Sequence, residues 1–139
     1  MSDANKRLVQ RFVDEFWNRG NFAAADELLA PNAAIYVPTG ECVDPAGLKQ
    51  FAAAWRSAFP DWHSTPEELV AEGDRVAERW TGRGTHRGEL QGLPPTGKAV
   101  VTPGSVFYRI DDGRIVEFRG QLDIAGLFQQ LGAAPARAS

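Results

Sequence analysis

The chain has 139 residues, of which 43% are apolar and 24% charged, and its formal net charge is −3. That is the size of one ordinary domain with a full hydrophobic core. The acidic balance and the scattered cations exclude the basic face of a nucleic-acid binder and the polybasic run of a membrane-surface protein.

Cys42 is the lone cysteine, so no internal disulfide forms and a cytoplasmic setting is expected. The opening Met-Ser-Asp-Ala-Asn-Lys-Arg lacks the apolar core of a signal peptide. No apolar run approaches the roughly 20 residues of a membrane span. One domain over residues 1–139, with an ordered core over about 5–132, is expected, and the small polar tail 133–139 is expected to fray.

Residues 5–19 read as an amphipathic helix, with Leu8, Val9, Phe12, Val13, Phe16 and Trp17 on one face and Gly20 as its stop. Residues 22–29 read as a short second helix ended by Ala30-Pro31, and residues 33–37 as a short strand. Asp44-Pro45 supplies a cap and a first-turn proline for a third helix, whose stripe is Leu48, Phe51, Ala52, Trp55 and Phe59. The period then changes. Residues 62–71, 75–86, 99–110 and 114–122 read as strands, with hairpin signals at Glu72-Gly73-Asp74 and Asp111-Asp112-Gly113. Residues 91–97 are a Gly/Pro loop. Residues 123–131 form a last helix, capped by Asp123 and stopped by Gly132.

Helices first, then a meander of strands, argue for α+β with an antiparallel sheet. One curved sheet wrapped around the helices leaves a cone with an apolar interior, which suits a small-molecule site.

Three segments carry a resemblance to a known family: Phe16-Trp17-Asn18-Arg19-Gly20-Asn21-Phe22; the Gly84-Thr85-His86-Arg87-Gly88 stretch running into Pro95-Thr96-Gly97-Lys98; and Arg119-Gly120-Gln121-Leu122-Asp123 with the terminal Gln130-Leu131-Gly132. Together they resemble the SnoaL-like polyketide cyclases. The resemblance implies the cone-shaped barrel of the nuclear transport factor two-like superfamily, a mainly antiparallel sheet around N-terminal helices. It also implies a homodimer through the outer face of the sheet and a pocket that works without a cofactor. It further implies that Asp123, just before the last helix, is the general acid/base of an intramolecular aldol closure. Capping alone also accounts for an aspartate there.

Arg119, Gln121 and Asp123 fall at two-residue steps, so strand alternation puts them on one face, with Phe118 and Leu122 on the other. Taking the Asp123 face as the interior, Arg119 and Gln121 position substrate, while Phe118 and Leu122 lie outside. His86 is the further catalytic candidate, as a proton shuttle, with a loop-ordering role as the alternative. Tyr36, Trp55, His63, Trp80 and Phe107 are the candidates for substrate contact. The aldol cyclases use histidines where this chain reads Ile35-Tyr36-Val37 and Phe107-Tyr108-Arg109, so Tyr36 or Tyr108 supplies a hydroxyl instead. Two histidines without a nearby acidic cluster make no metal site. The expected function is a cofactor-independent cyclase acting on an apolar, polyketide-like substrate. The alternatives are an isomerase, dehydratase or epoxide hydrolase on the same scaffold, or a non-catalytic ligand-binding protein.

Overall fold

A computed structural model describes residues 2–132, and the tail expected to fray lies outside the described residues. The N-terminal apolar stripe folds as α1 (Ser2–Phe12) and continues as a π-helical segment, Val13–Asn18. The widened turn places the Arg19 N–H on the Asp14 carbonyl at 3.0 Å. Such segments are rare and concentrate at functional sites. Here Val13 and Trp17 reach the cavity described below, a break in period that the regular apolar spacing does not announce.

α2 spans only Ala24–Leu28, because the backbone turns extended at Leu29 and enters β1 (Leu29–Tyr36). β1 begins earlier than the sequence pattern predicts and pairs in parallel with the last strand. Its register shifts between Leu29 and Ala34, the stretch that holds Pro31, which has no N–H for a ladder. β2 is the two-residue Cys42–Val43. α3 (Pro45–Ala58) starts as predicted, with the Gly47 N–H donating to Asp44 Oδ1 at 2.8 Å.

Four long strands follow: β3 (His63–Glu72), β4 (Arg75–Thr85), β5 (Ala99–Asp111) and β6 (Arg114–Leu122), then α4 (Ile124–Gln130). The β5–β6 turn places Asp112 and Gly113 at φ +51° and +73°, the left-handed pair that a tight hairpin needs. The sheet order is β2-β1-β6-β5-β4-β3, so the six-stranded sheet is open along β2 and β3. Its concave face packs on α1, the π segment and α3 through Val9, Phe12, Phe16, Ile35, Leu48 and Phe118. A second apolar cluster lies toward α4 and includes Trp55, Phe59, Trp62, Leu127 and Phe128.

One orientation is the reverse of that predicted. Residues do alternate along β6, but Phe118 is buried in the core while Arg119 is exposed on the convex face. Phe118 meets Phe12 and Tyr108 edge-on at 6.3 and 5.5 Å between ring centroids. Burying a phenyl ring there is worth about 2 kcal/mol, whereas burying a guanidinium would carry a desolvation penalty. The phase of the strand therefore follows Phe118.

Candidate active site

β4 alternates Val76, Glu78 and Trp80 toward the concave face. Val76 and Trp80 are ordinary for such a face, and a carboxylate between them is not. Glu78 is only 3% exposed and faces β5, whose inward residues include Val106 and Tyr108. The Tyr108 hydroxyl donates to Glu78 Oε1 at 3.0 Å, while Glu78 Oε2 is buried with no protein partner. Loss of hydration pushes the Glu78 carboxyl up to about 7, against the opposing pull of the Tyr108 hydrogen bond. Burial, together with the neighbouring carboxylate, holds the Tyr108 phenol well above its ordinary range. Tyr108 therefore remains a donor when Glu78 ionises.

These groups open into a cavity of about 560 Å³, its mouth included. Its walls are aromatic: Trp17 from the π segment, Phe51 and Trp55 from α3, Trp62, and Trp80 from β4. The tryptophans fit because their neighbours lack side chains. A Cβ on Gly82 would overlap Trp62, and one on Gly104 would overlap Trp80. Arg56 fixes the helical side by donating to the carbonyls of Trp17 (2.9 Å) and Asn18 (3.2 Å). Ser64 and Gln121 are the other polar side chains in the wall, and Ser64 is the buried one. The Ser64 hydroxyl accepts from Trp62 Nε1 at 3.0 Å, and the Ser64 backbone N–H donates to Asn18 Oδ1 at 2.7 Å. The Ser64 hydroxyl proton is thus free to point at a ligand. Among the described residues, Glu78 and Tyr108 are the only titratable side chains in the wall, and no lysine, arginine or histidine lines it.

Residues 7–131 match the family model of the SnoaL-like polyketide cyclases. The chain belongs to this family. Solved structures agree with it over almost the whole length. AclR, a candidate hydroxylase from Streptomyces galilaeus, is 29% identical, with a TM-score of 0.87 over 98% of this chain and 89% of that one. Wild-type IdmH, a candidate polyketide cyclase from Streptomyces antibioticus, is 32% identical, with a TM-score of 0.84 over 93% of this chain and 99% of that one. A SnoaL-like protein from Jannaschia sp. CCS1 is 25% identical, with a TM-score of 0.88 over 96% and 95% of the two chains. No curated protein matches the chain. Family membership makes this protein a cyclase-type enzyme.

Within this SnoaL-like fold the residues singled out from sequence are dispersed. Trp55, Trp80 and Gln121 line the cavity. Asp123 is exposed and accepts the Gly126 N–H at 2.9 Å as the cap of α4, and it is absent from the cavity wall. Arg119 lies on the convex face, bonded to Glu117 and with its guanidinium 4.0 Å above the Tyr36 ring. That hydrogen bond also holds the Glu117 carboxyl below its usual range. Phe107 is 60% exposed on the same face, and His63 is exposed at the start of β3.

His86 is fully buried, but outside the cavity wall. Its Nδ1 accepts the Thr96 N–H at 3.1 Å and lies 3.0 Å from Thr96 Oγ1. Among the described residues no group of three His, Cys, Asp or Glu side chains could hold a metal, and no helix is long and apolar enough to cross a membrane. Tyr108 was named from sequence, but its partner Glu78 was missed. The signal was a glutamate in phase with Val76 and Trp80.

Proposed function

We propose that the enzyme closes a ring by intramolecular aldol condensation of an apolar, polyketide-like ketone, with Glu78 as the general acid/base. Ionised Glu78 removes a proton from the carbon next to a carbonyl. The resulting enolate carbon attacks a second carbonyl, forming the C–C bond. The new alkoxide then recovers the proton from the Glu78 carboxyl, so substrate and product are isomers and atoms balance. Tyr108 positions the carboxylate through Oε1, leaving Oε2 to accept the proton, and Ser64 donates to the enolate oxygen.

The observation that carries this reading is a buried carboxyl near neutrality, with one unpartnered oxygen, in an aromatic chamber. Asp123 is the competing base. Its exposure and its capping bond to Gly126 favour Glu78.

The test is α-proton exchange of a simple aromatic ketone, 2-tetralone, in D2O, followed by NMR. Exchange accelerated by the protein, lost in Glu78→Gln and retained in Asp123→Asn, is expected. Exchange that survives Glu78→Gln and disappears in Asp123→Asn would return the role to Asp123.

We further propose a homodimer through the convex face of the sheet, supported by the exposed apolar Phe107 (60%) and Val101 (44%). The free, exposed Cys42 thiol supports a cytoplasmic setting.

A further inference from the structure

A second chamber adjoins the first. It lies between α3, α4, the turn at residues 38–41 and the loop at residues 89–91, and encloses about 830 Å³ with its open side included. Pro38, Phe51, Trp55 and Leu122 belong to the walls of both chambers and, among the described residues, are the side chains the two share as a partition. All four are apolar. Phe51 and Trp55, one turn apart on α3, stack nearly parallel with ring centroids 6.2 Å apart. The slot they border therefore suits a flat or extended apolar segment.

The two chambers differ in chemistry. The inner one holds Glu78, Tyr108 and Ser64 buried within aromatic walls. The outer one has an apolar floor, including Ile124, Leu127 and Phe128, beneath a polar rim that carries Glu41 and Glu89. Among the described residues, those two carboxylates are the only charged side chains that line it. The Thr39 hydroxyl donates to Glu41 Oε1 at 3.2 Å.

We infer that the outer chamber is a second substrate subsite. The bound molecule spans the partition, with an uncharged ring system beside Glu78 and a tail that ends in a hydrogen-bond donor, a hydroxyl or an amine, at the rim. An anionic tail is rejected there. The inference rests on the inner chamber being the substrate site. It is tested by binding alone, so its failure is distinct from failure of the Glu78 chemistry.

Three probes suffice in isothermal titration calorimetry at low ionic strength: 2-acetylnaphthalene, and the same ketone carrying a six-carbon chain that ends in an ammonium or a carboxylate. Ala54 is exposed and lines only the outer chamber, so Ala54→Trp fills that chamber and spares the inner one. The variant is expected to weaken both chain-bearing probes about tenfold and to leave 2-acetylnaphthalene within a factor of two, which also shows that it is folded. The native protein is expected to prefer the ammonium over the carboxylate roughly fivefold, the size of two solvent-facing charge contacts. That preference disappears in the Glu41→Gln/Glu89→Gln double variant. Chain-bearing probes unaffected by Ala54→Trp, or weakened no more than the short one, would overturn the second subsite. Equal affinity of the native protein for the two charged ends would overturn the assignment of the tail.

Discussion

Glu78 is held where ionisation is opposed, and that has a thermodynamic signature. Its carboxyl titrates near 4.5 in an unfolded chain and near 7 here. Between those values the folded protein keeps a proton that the unfolded chain has released. Stability is therefore greatest below about pH 4.5 as far as this group is concerned, falls by on the order of 3 kcal/mol as pH rises through 7, and is flat above. Urea denaturation of the native protein and of Glu78→Gln at pH 5 and pH 8 checks this. The glutamine variant is expected to lack the fall, so its relative stability improves at pH 8 even as proton exchange is lost. In the native protein, exchange follows the ionised fraction, is half-maximal near pH 7 and levels off about one unit higher.

At Asp123 the expectation is of another kind. Asn is a comparable cap, so Asp123→Asn is nearly silent in melting temperature, whereas Asp123→Ala costs about 1 kcal/mol. Differential scanning calorimetry separates the two.

Residue types were legible in the sequence where local rules decide them, as at the Asp44 and Asp123 caps. They were not legible where a partner strand decides. Glu78 gains its character from Tyr108 on the neighbouring strand and from aromatic walls that other elements, the π segment and α3 among them, bring to it.

Among the elements, the stretch running from Gly84 to Lys98 is conspicuous in the sequence, and its conspicuous residues build the scaffold. Asp61 accepts from the Thr85 N–H (2.7 Å) and hydroxyl (2.8 Å), which holds its carboxyl below the usual range. A Cβ on Gly88 would overlap the Ser57 carbonyl, so this glycine lets the loop close on α3. His86 orders Thr96, and the Gly97 N–H donates back to the His86 carbonyl at 2.8 Å. His86→Ala is accordingly expected to cost about 2–3 kcal/mol and to speed hydrogen exchange across residues 87–97. Turnover per folded molecule is expected to remain within a few-fold. Loss of turnover without loss of stability would instead give this histidine a chemical role.

Strand borders were legible from turn chemistry, and β3 to β6 lie within two residues of their predicted limits. The direction in which β6 faces was not. Alternation sets which residues share a side, but packing against Phe12 and Tyr108 sets which side is inside. The π segment escaped for a similar reason, since its residues keep the apolar spacing of a regular helix.

For the molecule as a whole, the order of helices and strands was enough to give the α+β class and an interior cavity. The division of that interior into two chambers was not readable, because residues far apart in sequence, Pro38, Phe51, Trp55 and Leu122, form the partition. The convex face sets the expectation for assembly. Sedimentation velocity at micromolar concentration is expected to show a dimer. Phe107→Lys, which places a charge in the exposed apolar patch, is expected to shift it to monomer with little change in melting temperature. A native protein that remains monomeric at tens of micromolar would remove this interface.

The tryptophan placement has a practical corollary. The chain contains four tryptophans, and Trp17, Trp55, Trp62 and Trp80 all border the inner cavity. Tryptophan emission from this protein thus comes wholly from indoles around one hollow, with no distant indole to dilute the signal. A compound library can be screened against unlabelled protein, and quenching by a flat aromatic guest beyond what Trp55 alone can lose will report arrival in the inner chamber, because Trp17, Trp62 and Trp80 border only that one.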